Sequence, residues 1–323
     1  MSTKPAVFVT RKLPDAVTAR LDKSYQAHLN PGDRLLSPAE IVDGAGKLGA
    51  DALLICPTDK MTPELIQALP KSIRAIATFS VGHEHINLDA AKARGIVVTN
   101  TPDVLTDATA DIALLLLLGA ARRASEGEQI VRGDSWNSWG TTYMLGIHMT
   151  GKRLGILGMG RIGQAVAKRA RGFDMKIHYA NRRRLPPEME QGAVFHANAD
   201  DMLPHSDFLS VNCPASPETY HFLNAERIAK LPDGAIVVNT ARGTIVDDAA
   251  LIAALKSRKL AAAGLDVYEN EPKINPEYRT LANTFLLPHL GSATVETRNG
   301  MGFKCLDNLD AFFGNQPPPD RLV

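Results

Sequence analysis

Cysteine is scarce in this chain, and the few present are badly placed for pairing. Cys56, Cys213 and Cys305 are far apart, odd in number and never arranged as CxxC. A disulfide framework and a zinc knuckle are therefore excluded. An excess of either charge is also lacking: 36 basic residues face 35 acidic ones, a formal net charge of +1 with the nine histidines neutral. That balance argues against a chain built to hold nucleic acid or an acidic membrane surface. Long apolar runs are missing too. Ile112–Ala121, ten residues, falls short of the roughly 20 that a bilayer span needs. Only Ala6–Val9 precedes Arg11 at the N-terminus, so no secretory apolar region is read there. Internal repeats and low-complexity tracts are absent, and the one charge block is Arg182–Arg184. The expectation is a soluble protein of a reducing compartment, the cytoplasm, with no nucleic-acid and no membrane partner.

What is present points to α/β architecture. At about 150 residues per domain, 323 residues suggest two domains. Ala6–Val9, Ala52–Ile55, Ile73–Phe79 and Ile96–Val98 are short apolar runs that read as strands. Between them Leu13–Leu21, Pro38–Leu48, Pro63–Leu69 and Leu88–Arg94 carry helical spacing. Such alternation predicts parallel strands joined by crossovers and covered on both faces. A hinge is expected near residues 100–105. One long helix is expected from about Thr106 to Val131, followed by a polar segment, Gly133–Thr142, that holds both tryptophans. A second series of strands follows: Arg153–Leu157, Lys176–Tyr179, Phe208–Val211, Ala235–Val238, Ala262–Leu265 and Phe285–Leu287. A last helix is expected over Val295–Phe313. The fold class predicted is thus two doubly wound parallel-sheet domains.

The second series opens with a phosphate-binding pattern. Gly158-x-Gly160-x-x-Gly163 sits directly after one predicted strand and before a helical stretch, Ile162–Gly172. Gly158 permits the tight turn, Gly160 lets the backbone approach a pyrophosphate, and Gly163 lets helix and strand pack closely. Amides at the helix start, around Arg161 and Ile162, would face the phosphates. A carboxylate about 20 residues on would hold the ribose 2′-hydroxyl in a site that prefers NAD. None stands there; Asn181, Arg182, Arg183 and Arg184 do. A guanidinium can pair with a 2′-phosphate that an acid would repel. The expected cofactor is therefore NADPH, with NADH also usable. Arg182 and Arg183 are expected to bind it, and Arg184 to face water.

Three later segments each put polar groups just after an apolar strand, where ligands bind in open α/β sheets. They are Ile236–Gly243 (IVVNTARG), Gly264–Pro272 (GLDVYENEP) and Leu286–Thr294 (LLPHLGSAT). Together Arg242, Asp266, Glu271 and His289 suggest a hydride-transfer site. They offer a cation for a substrate anion, an acid–base imidazole and a carboxylate to orient it.

With these motifs the chain resembles the D-isomer-specific 2-hydroxyacid dehydrogenase family over nearly its whole length, closest to its glyoxylate/hydroxypyruvate reductase branch. Further segments carry the likeness: SVG at Ser80–Gly82, TPDVLTDATADIA at Thr101–Ala113, SWNSW at Ser135–Trp139 and GMGRIGQA at Gly158–Ala165. The resemblance implies that Arg242 holds the substrate carboxylate and carbonyl, that His289 is the acid/base and that Glu271 is its paired carboxylate. It implies that backbone amides at Val81 and Gly82 bind the substrate carboxylate, and that Thr240, Arg242 and Asp266 lie near the cofactor. It also implies a flavodoxin-like substrate domain of residues 1–103 and 291–323, with a Rossmann cofactor domain of residues 104–290. A homodimer is implied in which Trp139 reaches the neighbouring subunit's site. Trp136 and Trp139 could equally pack a dimer interface.

The implied reaction is reduction of a small 2-oxo acid such as glyoxylate or hydroxypyruvate, with His289 donating a proton to the carbonyl oxygen. No metal is required. His83-x-His85 has no third ligand nearby and reads as loop; His148, His205 and His221 read as structural. Two alternatives stay open at this stage. One is another family dehydrogenase, such as phosphoglycerate dehydrogenase, although the chain ends at Val323 with no room for a regulatory domain. The other is a cofactor-sensing, corepressor-like binding protein.

Overall fold

The structure, a computed structural model, describes residues 4–323. Two compact units are present, one made of the chain up to Leu105 together with Ala293–Val323, the other of Thr106–Ser292.

The first unit runs through β1 (Ala6–Val9), α1 (Asp15–Ser24), β2 (Gln26–His28), α2 (Pro38–Leu48) and β3 (Ala52–Ile55). It continues through α3 (Pro63–Ala68), β4 (Ala75–Thr78), α4 (Leu88–Ala93) and β5 (Val97–Thr99). The strands are all parallel, in the order β2-β1-β3-β4-β5, the flavodoxin-like winding. β1, β3 and β4 are buried along their full length, which is why β1 and β3 read as unbroken apolar runs and β4 as one ended only by Thr78. The sequence gives no such signal for β2, a three-residue edge strand with polar, largely exposed side chains. Short polar edge strands discourage pairing with other chains. Helix starts follow local chemistry. The Ser37 hydroxyl accepts from the Glu40 amide, and the Glu40 carboxylate accepts from the Ser37 amide at 2.8 Å, with Pro38 opening α2.

The second unit begins with α5 (Thr106–Ala121) and α6 (Ala124–Arg132). The single helix expected over 106–131 is therefore two. Arg123 adopts a left-handed conformation, φ +54°, and its guanidinium grips Glu126 through two bonds of 2.9 and 2.6 Å. Apolar spacing continues across this break, so periodicity alone could not register it. Beyond it come β6 (Arg153–Leu157), α7 (Arg161–Arg171), β7 (Lys176–Ala180), α8 (Pro187–Glu190), β8 (Val194–His196) and α9 (Ala199–Met202). They are followed by β9 (Phe208–Val211), α10 (Ala225–Lys230), β10 (Ala235–Asn239), α11 (Asp248–Lys256), β11 (Leu260–Leu265) and β12 (Thr284–Leu286). The sheet is parallel throughout, in the order β12-β11-β10-β9-β6-β7-β8, a Rossmann winding whose switch point lies between β6 and β9. β8, like β2, is a short edge strand that the sequence did not reveal.

α5 is seated closely on this sheet. A Cβ on Gly264 would meet the Leu116 carbonyl at 2.9 Å, and one on Gly119 would meet the Phe285 ring at 2.6 Å. After Ser292 the chain returns to the first unit as α12 (Val295–Phe313), capped by the Thr294 hydroxyl. α12 packs on α1, where a Cβ on Gly302 would lie 2.4 Å from Val17 Cγ2. It also packs on β4, where the Cys305 thiol donates to the Thr78 carbonyl. Among the described residues no helix is long and apolar enough to cross a membrane.

Candidate active site

β6 hands over to α7 through the glycine-rich turn. Gly158 has φ +93°, and a Cβ there would sit 2.6 Å from the Cys213 amide nitrogen, so only glycine fits. A Cβ on Gly163 would lie 2.4 Å from the Gly158 carbonyl oxygen, which ties helix to strand. At Gly160, by contrast, the Cβ position is open to 4 Å, leaving room for an incoming group. Gly160 also caps α7 without a side chain, and the first helical turn holds no acid. An anion at this helix start would meet free amides and the positive end of the dipole. The turn therefore fits a pyrophosphate, with Arg161 exposed and Ile162 partly buried beside it.

Asn181, expected among the cofactor ligands, holds this turn: its Oδ1 accepts from the Met159 amide at 2.7 Å. Arg182 and Arg183 stand exposed, with no carboxylate at ion-pair distance among the described residues. Arg184 does not simply face water, as the sequence reading had it. It pairs through Nε and Nη2 with Glu190, at 2.8 and 3.0 Å. Glu190 is only 5% exposed and also accepts from the Tyr179 hydroxyl at 2.6 Å. A carboxylate that far from water must be paired, and this pairing separates Arg184 from its two neighbours.

His289 and Glu271 come together at the carboxyl ends of β11 and β12. Nδ1 of His289 lies 2.7 Å from Oε2 of Glu271, and Oε1 of Glu271 accepts from the Tyr268 amide at 2.8 Å. Burial works to raise the Glu271 carboxyl. The His289 hydrogen bond and charge, the Tyr268 amide and the nearby Arg242 charge outweigh it and hold the group below its ordinary range. An ionised carboxylate only accepts, so Nδ1 carries the hydrogen and Nε2 is left for proton transfer.

Beneath them Asp266, 1% exposed, grips the histidine segment. Its carbonyl accepts from the His289 amide at 2.9 Å, and its carboxylate accepts from the amides of Leu290 at 2.6 Å and Gly291 at 2.8 Å. Burial raises the Asp266 carboxyl against the pull of those amides. Its geometry is that of a group that holds His289 in place.

The NTARG turn follows β10. Asn239 Oδ1 accepts from the Ala241 amide and Nδ2 donates to the Arg242 carbonyl, both at 2.9 Å. Gly243 then lies so close to the next loop that a Cβ would fall 1.8 Å from the Tyr268 carbonyl carbon. This close approach carries the Arg242 segment against the loop that holds Glu271. The sequence reading passed over three residues that build the site: Asn239, Tyr268 and Asn212. Asn212 follows β9 directly, the same signal that singled out the NTARG turn. The buried Oδ1 of Asn212 and Oγ1 of Thr240 have no hydrogen-bond partner among the described residues. Both lie at strand ends where such sheets bind ligands, and buried polar atoms are seldom left unpaired. They fit a polar cofactor there.

In the first unit, Val81 and Gly82 form the partly exposed loop after β4. His83 is exposed, whereas His85 is buried with Nε2 2.9 Å from Thr78 Oγ1. In the second unit Trp139 is 77% exposed, within a strip that also exposes Val131, Trp136, Tyr143 and Leu145.

The chain resembles known proteins along nearly its whole length. The sequence model described as "D-isomer specific 2-hydroxyacid dehydrogenase, NAD binding domain" matches residues 114–291. A glycerate dehydrogenase of Hyphomicrobium methylovorum is 46% identical over 314 residues, covering 97% of each chain. The structure of a D-isomer specific 2-hydroxyacid dehydrogenase from Polaromonas sp. JS6 66 superposes with TM-score 0.95 at 46% identity, covering 100% of both chains. An NADPH-dependent glyoxylate/hydroxypyruvate reductase of Sinorhizobium meliloti, solved with NADP and malonate, gives TM-score 0.89 at 32% identity, covering 99% of this chain and 97% of that one. With the glycine turn, the imidazole–carboxylate pair and likeness along the full chain, this protein belongs to the D-isomer specific 2-hydroxyacid dehydrogenase family of oxidoreductases.

Proposed function

We propose that the protein reduces small 2-oxo acids, glyoxylate and hydroxypyruvate, to glycolate and D-glycerate, with NADPH as the preferred hydride source and NADH able to replace it. The observation that carries this reading is the 2.7 Å contact between His289 Nδ1 and Glu271 Oε2, on a segment fixed by Asp266. The names of the Hyphomicrobium and Sinorhizobium relatives support the substrate class, and exposed Arg182 and Arg183 support the phosphorylated cofactor. On this reading the second unit binds cofactor and the first binds substrate. The cofactor rests on Gly158, Gly160 and Gly163, the amides at Arg161 and Ile162, and Thr240.

When bound, the nicotinamide supplies the hydride that reaches C2 of the 2-oxo acid. His289, as imidazolium, donates its Nε2 proton to the carbonyl oxygen as negative charge gathers there. Glu271 stabilises the cation and keeps Nδ1 protonated, so Nε2, once it has given up its proton, is free to take one back in oxidation. Arg242 holds the substrate carboxylate and polarises the carbonyl. Val81 and Gly82 contribute backbone amides to the carboxylate. Trp139 serves a homodimer, in which it enters the neighbouring subunit's site. An exposed apolar strip of this kind marks an interaction surface.

The test is a steady-state assay with glyoxylate, hydroxypyruvate and pyruvate, each with NADPH and with NADH, followed by loss of reduced-nicotinamide absorbance. Turnover of glyoxylate or hydroxypyruvate with NADPH upholds the reading, and no turnover with any 2-oxo acid overturns it. Sedimentation velocity reads the dimer; a monomer in both wild type and Trp139→Ala would remove that part.

A further inference from the structure

The loop after β4 is held in an unusual way. Its three successive carbonyls are each taken by a donor from the same unit. The Ser80 carbonyl accepts from the Thr101 amide at 2.9 Å, the Val81 carbonyl from Asn100 Nδ2 at 2.8 Å, and the Gly82 carbonyl from the Ser80 hydroxyl at 2.7 Å. The amides of Val81 and Gly82 donate to no acceptor among the described residues.

The Ser80 hydroxyl belongs to a chain whose direction can be worked out. Ser80 Oγ lies 2.8 Å from Thr78 Oγ1, which lies 2.9 Å from His85 Nε2. Ser80 has one proton and gives it to a carbonyl, so Thr78 must donate to Ser80. Thr78 has then spent its proton, so His85 Nε2 must donate to Thr78. The chain runs one way, from His85 through Thr78 and Ser80 to the Gly82 carbonyl. All four side chains involved are buried: Thr78, Ser80, His85 and Asn100.

We infer that the Thr101 amide, Asn100 and Ser80, the last backed by Thr78 and His85, are positioning groups that fix the Ser80, Val81 and Gly82 carbonyls in turn, so that the Val81 and Gly82 amides form a preset carboxylate-binding pair. Peptide planes are rigid, so fixing a carbonyl also fixes the direction of the next amide. The Val81 amide shares its plane with the Ser80 carbonyl, and the Gly82 amide shares its plane with the Val81 carbonyl. Thr101 and Asn100 thus aim the two donors, and Ser80 locks the following plane. Donors fixed before binding cost no ordering when the anion arrives. The inference rests on the proposed role of Val81 and Gly82 in holding the substrate carboxylate.

The experiment compares wild type with Ser80→Ala and with Asn100→Asp, which keeps the shape of the side chain but replaces the donor with an acceptor. Expected is a glyoxylate KM raised about tenfold, with kcat and the NADPH KM held within about twofold, because the lost contribution is to substrate binding alone. Thermal melting and NADPH fluorescence confirm that each variant is folded and binds cofactor. Backbone amide NMR with oxalate as probe gives a second readout: Val81 and Gly82 shift in wild type and not in the variants. Parallel losses in kcat and both KM values, or an unchanged glyoxylate KM, would overturn the inference. Oxalate that leaves the Val81 and Gly82 amides of wild type unmoved would overturn it too, whatever the turnover. Wild type that fails to reduce any 2-oxo acid, yet shows the shifts and loses them in Ser80→Ala, would overturn the proposed reaction and leave the amide pair standing.

Discussion

Glu271 uses its two oxygens differently: Oε2 takes the His289 Nδ1 hydrogen at 2.7 Å, while Oε1 takes the Tyr268 amide at 2.8 Å. One oxygen orients the imidazole and the other anchors the carboxylate to its own loop. Replacing His289 with Gln should lower turnover about a hundredfold to ten-thousandfold, the usual worth of a general acid–base group. Glu271→Gln should lower it less, since the ring remains in place while its cation loses its partner. NADPH fluorescence titration should show both variants binding cofactor as wild type does. Equal turnover in wild type and His289→Gln would refute the proton-donor role.

Two glycines in the second unit should answer oppositely to the same substitution. Gly243→Ala forces a Cβ to 1.8 Å from the Tyr268 backbone. Because neither side can swing away, the destabilisation should reach the upper part of the roughly 1–3 kcal/mol range of overpacking or exceed it. Gly160→Ala meets nothing within 4 Å and should leave the denaturant midpoint near wild type while weakening dinucleotide binding. Denaturation curves with cofactor titrations check both.

The three arginines after β7 should separate by function. Arg182→Ala/Arg183→Ala should raise the NADPH KM about tenfold or more, as loss of charged hydrogen bonds to a phosphate does, and leave the NADH KM unchanged. Arg184→Ala should lower the melting temperature, because Glu190 then stays buried without its cation, and leave cofactor preference alone. A double variant that still prefers NADPH as strongly as wild type would exclude Arg182 and Arg183 as the clamp.

A cluster of histidines should set part of the acid sensitivity. His178, His196 and His205 stack with ring centroids 5.3–5.6 Å apart, and His178 Nδ1 lies 3.0 Å from His196 Nε2. Burial, joined by the charges of His196, His205 and Arg153 and opposed by Asp207, pushes His178 down from 6.5 to about 4. Burial and His205, opposed by Asp201, lower His196. A base held below its unfolded value favours the fold fully above that value. As pH falls from about 6.5 toward 4, the unfolded chain gains protons that the folded one refuses, and stability declines. His178→Phe keeps a stacked ring without titrating, so its melting temperature should fall less steeply over that window. Parallel wild-type and variant profiles would show that the cluster plays no such part.

Much of this protein is written locally. The fully buried strands β1 and β3 are continuous apolar runs, β4 and β9 each carry a single hydroxyl residue, and Gly158, Gly160 and Gly163 stand in a spacing that turn geometry demands. Arg242, Glu271 and His289 each follow a strand, so the rule that ligands gather at strand ends singled them out. Edge strands β2 and β8, three residues each and partly exposed, are too short to carry a strand signal, and the left-handed backbone at Arg123 is a break that periodicity cannot register. Tertiary structure alone decided which partner each polar group would take. Arg184 turned to a Glu190 buried behind it, Asp266 gave its oxygens to the Leu290 and Gly291 amides, and Asn181 took the Met159 amide. Strands and turns follow from neighbours in sequence, whose periodicity and backbone limits act at short range. The partners of a buried charge are fixed only when packing excludes water and leaves particular donors within reach.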